Sequence, residues 1–321
     1  MMSSAFIRAV LKLYPQASID LIVKQGFEQI PLPHRGKILP FDKRTINAYA
    51  FGKRLRSEGY DTIFVLPPSF SSALMAFSAQ IPNRIGYKGN FRGLFLNQGK
   101  RYQQKHRSQH LVEEYLQLLE ENVPLSEIEP GLEINQEWVQ KQLGKGFENL
   151  PDSFVCIAPG VIYGPAKQWP VLHFKKLITE LVEQDEKVVI IGTANDATLA
   201  ENLVDQTSNI ISICGKTNLL QLIAVLAKSK VLVSNDSGTM HVMAALQKPQ
   251  VAIFGSTSTT WTGPINRNAE VIDLDIECSP CFKRECPYGH YDCLTKISPE
   301  LVLARVYSAL KAGKDADFFR G

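Results

Sequence analysis

The sequence predicts an α/β protein built from two Rossmann-like domains. Three observations carry this. The C-terminal half alternates short, β-branched apolar runs with amphipathic helix patterns, the signature of a parallel sheet covered by crossover helices. Residues 231 to 255 form one complete strand–turn–helix–strand unit, with Val231–Val233 and Val251–Phe254 as buried strands around the helix pattern Thr239–Leu246. A chain of 321 residues is long enough for two cores of this kind.

In the N-terminal half, Met1–Tyr14 has a helix pattern ended by Pro15, and Ile19–Val23 reads as a strand. Arg44–Ser57 is a helix stopped by Gly59, Thr62–Leu66 a strand, and Ser71–Ala79 a helix of small residues. Residues 80–110 are basic. Arg84, Lys88, Arg92, Lys100, Arg101, Lys105 and Arg107 are interleaved with Tyr87, Phe91, Phe95 and Tyr102. This suits either a solvated face with core aromatics or a site for an acidic acceptor, since Arg clusters bind carboxylates and phosphates. Without a recognition motif, nucleic acid is not expected. His110–Glu121 is a helix, and the polar stretch from Pro124 to about Pro151 holds the linker. The expected division is 1–150, 151–298, and a closing helical segment 299–321 that can pack back on the first domain.

The second half continues with the strand Phe154–Ile157, the helix Val171–Gln184, the strand Lys187–Ile191, and the helices Ala197–Val204 and Leu219–Lys228. Two loops stand out because each lies at the carboxyl end of a strand, where open α/β sheets bind ligands. One is Ala158–Pro170, with Gly160, Tyr163 and Lys167 among three prolines. The other is Asn235-Asp-Ser-Gly238, whose helix start offers free N–H groups to a phosphate, with His241 one turn further on. The bland readings are a solvated lysine beside a packing tryptophan, and an ordinary turn in which Asp236 is a cap.

The motifs Pro-Gly-x-x-x-Gly-Pro-Ala-Lys-x-Trp-Pro and Asn-Asp-Ser-Gly-x-Met-His lie about 70 residues apart. Together they resemble the ADP-heptose:lipopolysaccharide heptosyltransferases of glycosyltransferase family 9, heptosyltransferase II type. The resemblance runs from Met1 to about Leu310. It implies a GT-B fold, two Rossmann-like domains facing each other across a cleft, with the nucleotide sugar on the second domain and the acceptor on the first. It implies inverting transfer of a heptose from ADP-heptose to the inner core of lipopolysaccharide, Kdo-lipid A bearing its first heptose. Gly160, Tyr163, Lys167, Asp196, Thr217, Asp236, Ser237, Gly238 and His241 would form the donor site. Asp196 also suits a plain helix N-cap. Arg84, Lys88 and Arg92 would face the acceptor. The family's catalytic base, an Asp in a Gly-Asp turn after a first strand, would precede Met1, and no residue from Met1 onward matches it. Two alternatives therefore stay open: a non-catalytic nucleotide-sugar-binding relative, and another sugar-nucleotide enzyme of the same fold such as an epimerase. The resemblance implies no cofactor for transfer. The triplets Asp273-Leu-Asp275 and Asp315-Ala-Asp317 adjoin neither diphosphate loop, so no magnesium clamp is expected.

Four of the six cysteines, Cys278, Cys281, Cys286 and Cys293, fall in one stretch spaced C-x2-C-x4-C-x6-C. Four thiolates suit a tetrahedral structural zinc or iron, and four reduced thiols in a packed loop are the alternative. The resemblance implies that this loop is not needed for transfer. A hydrophobic share of 45%, a charged share of 21% and a formal charge of +3 are ordinary for a globular protein and argue against a global nucleic-acid field. No apolar run approaches the ~20 residues that cross a bilayer, and no signal-peptide pattern opens the chain. The expected location is the cytoplasm, with transient contact at the inner membrane surface.

Overall fold

The computed structural model describes residues 1–313 except 103, 106, 145 and 205–208, so Asp315-Ala-Asp317 lies outside the described residues. The chain divides into two compact units, Ser3–Ile128 and Glu129–Gly321, the latter counted together with Met1–Met2. The first runs through α1 (Met2–Leu13), β1 (Leu21–Lys24), β2 (Ile38–Phe41), α2 (Ala48–Arg54), β3 (Thr62–Val65), α3 (Phe70–Ser78), β4 (Asn83–Tyr87), β5 (Gln98–Lys100) and α4 (Leu111–Leu116). β1 and β2 form a parallel pair, and β3, β4 and β5 a parallel three-stranded sheet in that order. α1 buries Ala5, Phe6, Ala9 and Val10, which recur at helical spacing on one face. The helix expected from Arg44 starts later because Asn47 caps it, accepting the Ala50 N–H at 2.8 Å. α2 and α3 pack closely at Gly52, where a Cβ would meet the Met75 carbonyl oxygen at 2.2 Å.

The second unit runs through α5 (Gln136–Leu143), β6 (Val155–Ala158), α6 (Val171–Glu183), β7 (Val188–Ile190), α7 (Ala197–Glu201), β8 (Ile210–Ser212), α8 (Leu219–Lys228), β9 (Val231–Asn235), α9 (Gly238–Ala245), β10 (Gln250–Ile253), α10 (Thr259–Thr262), β11 (Ala269–Ile272), α11 (Asp292–Thr295) and α12 (Pro299–Gly313). The division between units falls ahead of residue 150 because α5 packs on α8. Its six strands are all parallel, in the order β11-β10-β9-β6-β7-β8. The chain leaves β6 in one direction, through β7 to β8, and returns to β9 on the other side of β6. The order therefore reverses between β6 and β9, and the crevice at their carboxyl ends is the topological switch point of a doubly wound sheet. The register Ala158↔Ser234 brings both strand ends to one level. α12 closes the unit by burying Val302, Val306 and Ala309 in its core, against α6 and β10.

The core under the switch point centres on Trp169. Its indole is fully buried, edge-on to Phe174 at 4.8 Å between ring centres, and donates from Nε1 to the Ile297 carbonyl at 2.9 Å. Replacing Trp169 with Ala should cost about 3–5 kcal/mol, as large-to-small core changes do. Urea denaturation followed by far-UV circular dichroism would read it as a lowered midpoint.

Candidate functional site

The loops after β6 and β9 are joined by one buried side chain. Asn235, at the end of β9, is fully buried. Its Oδ1 accepts the Trp169 N–H at 2.9 Å, and its Nδ2 donates to the Pro159 carbonyl at 2.9 Å. One amide thus fixes both ends of the 159–169 loop. Within that loop the Lys167 N–H donates to the Gly164 carbonyl at 3.1 Å, closing a 3-10 turn that aims the lysine back towards β9.

There Lys167 Nζ lies 2.5 Å from Asp236 Oδ2, with side-chain exposures of 15% and 5%. The same carboxylate oxygen accepts the Thr257 hydroxyl at 2.6 Å. Thr257 comes from the loop after β10, so three adjacent strand-end loops meet at one carboxylate. The lysine amine also stands 4.9 Å from the centre of the Tyr163 ring, whose other cationic neighbour is Arg284, at 5.4 Å. An ammonium has three N–H donors and Asp236 takes one, so the amine can hold its aspartate and still donate to a ligand.

α9 starts beside this pair. Ser237 is its N-cap residue and makes no side-chain cap bond; its Oγ pairs instead with Thr239 Oγ1 at 2.7 Å. Gly238 is exposed, and a Cβ there would meet nothing within 4 Å. The first N–H groups of this helix therefore open onto free space beside a lysine, the arrangement that suits an anion. His241 is half-buried one turn into α9.

Asp196 and Thr217 stand on the neighbouring strand-end loops, after β7 and β8. Asp196 Oδ2 accepts the Thr193 N–H at 2.7 Å and its hydroxyl at 2.8 Å, so the cap reading describes its present partners. Its other carboxylate oxygen faces Gly160, where a Cβ would come within 2.3 Å. Thr217 directly precedes Asn218, the N-cap of α8.

The basic segment of the first unit is organised differently. Arg92 is 2% exposed, and its guanidinium donates to the carbonyls of Pro67, at 3.0 Å, and Tyr87. Arg84 donates to the carbonyls of Phe95, at 2.8 Å, and Ile81, at 2.5 Å. Both arginines hold the backbone of loops around β4, whereas Lys88 is exposed.

The cysteine stretch laces into the loops after β6 and β10. Phe282 donates its N–H to the Ser256 carbonyl at 2.6 Å and accepts the Tyr163 hydroxyl at 2.8 Å. The Arg284 carbonyl accepts the Ala166 N–H at 3.0 Å. Gly164 is needed here, because a Cβ would meet that carbonyl oxygen at 2.5 Å. Cys278, Cys281, Cys286 and Cys293 line one small cavity together with His290, Ala166 and Ser256. Burial tends to raise the Cys286 pKa, but the N–H groups of Tyr291, Tyr288, Gly289 and His290 outweigh it and hold this thiol below the usual range. Burial, then the three other cysteines, push Cys293 up to about 11. Among the described residues no three His, Cys, Asp or Glu side chains stand as a ready metal-ligand set.

Three contributors escaped the sequence reading. Asn235 was visible only as a turn residue. Thr257 could have been found from its place just after the β10 strand. Arg284 carries no local signal, since it reaches Tyr163 from a distant stretch of chain.

Comparison with known proteins places this geometry. The sequence profile of glycosyltransferase family 9 (heptosyltransferase) matches residues 48–292. Lipopolysaccharide heptosyltransferase 2 of Salmonella typhimurium is 32% identical over 97% of this chain and 94% of that protein. The solved structure of Escherichia coli ADP-heptose lps heptosyltransferase II superposes with a TM-score of 0.84 at 28% identity, covering 98% of this chain and 96% of that one. A family 9 glycosyl transferase from Veillonella parvula shares the fold with a TM-score of 0.81 at 22% identity, over 97% of this chain and 93% of that one.

The buried pair generates a stability prediction. Lys167→Met leaves Asp236 charged, buried and unpaired, and should cost about 3–5 kcal/mol. Adding Asp236→Asn, which keeps an acceptor for Thr257, should restore part of the loss. Chemical denaturation of the two variants would check both steps.

Proposed function

Because the chain belongs to glycosyltransferase family 9, with an α/β fold of GT-B type, we propose that it transfers a heptose from ADP-heptose to the inner core of lipopolysaccharide. The observation that carries the reading is Lys167, held by Asp236 at the open start of α9, in the switch-point crevice. On this reading the second unit holds the nucleotide sugar and the first the acceptor. An acceptor hydroxyl attacks the anomeric carbon from the face opposite the leaving group and gives its proton to a general base. The new bond forms from the hydroxyl oxygen as the bond from the anomeric carbon to the diphosphate breaks, so configuration inverts.

Negative charge then gathers on the departing diphosphate. Lys167 and the helix-start N–H groups at Ser237 and Gly238 would receive it, and because the fold holds them in place, little reorganisation would accompany the step. Asp236 sets the lysine, and His241 is placed for a phosphate or sugar oxygen. Gly160, Tyr163, Asp196 and Thr217 shape the rest of the donor pocket, towards the nucleoside. Of the three residues proposed for the acceptor, Lys88 is the exposed cation, and Arg84 and Arg92 fix the loops that present it. No described helix is long and apolar enough to cross a membrane. We place the protein in the cytoplasm, meeting its acceptor at the inner membrane surface. Incubation with ADP-heptose and a heptose-deficient core acceptor tests the reading: transfer of the sugar with release of ADP supports it. Isomerised free heptose without transfer would favour an epimerase, and ADP-heptose binding without turnover a non-catalytic relative.

The cysteine loop supports a second reading, a structural zinc or iron. Its four thiols share one cavity, and Cys286 sits among backbone N–H groups that favour the thiolate a metal requires. Such an ion would tie the loop together and take no part in transfer.

Two predictions follow from these assignments. Lys167→Ala should weaken ADP binding about 10- to 100-fold, the scale of a hydrogen bond to a charged group, and leave AMP binding nearly unchanged. Calorimetry with both nucleotides reads the difference, and equal losses would take Lys167 away from the second phosphate. Protein purified anaerobically should carry about one zinc or iron per chain, by elemental analysis. After chelation, iodoacetamide at pH 8 should label Cys286 faster than Cys293, as mass spectrometry of timed samples would show.

A further inference from the structure

The turn between β4 and β5 is strained, and it holds apolar side chains out of the protein. Gly89, Asn90 and Phe91 all have left-handed φ, of 141°, 46° and 62°. For Asn90 and Phe91 this conformation is costly, and it persists only where the surroundings enforce it. Arg92 enforces it. Its N–H donates to the Gly89 carbonyl at 2.9 Å, and its buried guanidinium grips the Pro67 and Tyr87 carbonyls below. The result is a tip on which Phe91 is 81% and Leu94 77% exposed. They stand three residues apart across one 3-10 turn, a spacing that brings side chains to the same side. The apolar surface continues through Phe95, which packs edge-on to Phe70 at 5.2 Å between ring centres. Phe70 is itself 48% exposed.

Cations collar this tip. Lys88 is exposed with its stem alongside Gly93, and its N–H pairs with the Lys100 carbonyl at 2.8 Å, which puts exposed Arg101 next to it. Between Asp61 and Glu113 the sequence holds seven Lys or Arg and no Asp or Glu. A protruding apolar pair flanked by the exposed cations Lys88 and Arg101 matches an anionic bilayer surface, where the tip reaches the acyl boundary and the cations meet headgroup phosphates. A second copy of the chain fits poorly, because pairing two such tips would bring their collars together.

We propose that Phe91 and Leu94 form a membrane-docking tip that holds the first unit on an anionic phospholipid surface. This rests on the reading above that the acceptor is presented in a membrane. The test is co-flotation of the full chain with vesicles. Wild type should float with phosphatidylglycerol-containing vesicles, float less as salt is raised, and stay behind with pure phosphatidylcholine. Phe91→Ser/Leu94→Ser should reduce flotation roughly tenfold or more, the scale of withdrawing two large apolar side chains from lipid. Both residues are exposed, so the melting temperature should not fall. Unchanged flotation of the variant, or no flotation of wild type, would overturn the proposal. So would self-association without vesicles that the same change abolishes, or flotation that ignores lipid charge. ADP calorimetry on the same samples separates the two readings: flotation without ADP binding would sink the donor assignment and leave the docking tip standing.

Discussion

The second unit depends on the carboxamide of Asn235. A parallel sheet leaves its strand-end loops to find their own order, and here the loops after β6 and β9 meet at the switch point. Asn235 is the type of side chain that can donate and accept at once, and it does both in full burial, to Pro159 and from Trp169. A buried amide left half-satisfied would be costly, so the two loops are fixed together or not at all. Trp169 then anchors the far end in the core, and the turn between them presents Lys167.

This fixation explains how a lysine can be held ready. Lys167 is largely buried, and an unpaired ammonium there would carry the full cost of its lost hydration. Asp236 keeps the pair near neutrality, while Thr257 takes part of the aspartate's accepting capacity. The field at the crevice is then set by the start of α9, the Tyr163 ring with its second cation Arg284, and the remaining donors of the amine. An anion entering this place meets dipoles already pointed at it and need not reorganise them.

Much of the second unit was legible because its central strands are buried on both faces. β6, β9 and β10 read as continuous apolar runs, and the motifs at their ends stood out against them. The edges were harder. β2 contains Pro40, β8 has three residues, and β11 starts with alternating Ala269 and Glu270, so none has a strong period. β4 and β5 were hidden under the basic residues that decorate them. Composition could say that residues 80–110 were cationic but not which cations faced water, because Arg92 and Lys88 look alike in sequence and differ in burial. In the site, Lys167 and Asp236 were legible as motif members. Thr257 was legible only through its place at a strand end, and Arg284 was not legible at all, because it arrives by topology from a distant stretch that no local pattern registers.

The lacing of the cysteine stretch to the 159–169 loop has a consequence for how such proteins can diverge. Ala166, Tyr163 and Gly164 meet carbonyls of residues 282 and 284, and Ser256 meets Phe282 from the other side. Exchanging either segment between homologues by itself would strand backbone groups of the other and press a side chain against the place Gly164 leaves open. The joint between the two stretches, far apart along the gene, thus leans on residue identity at Tyr163 and Gly164, while its other bonds are made by backbone that any sequence supplies.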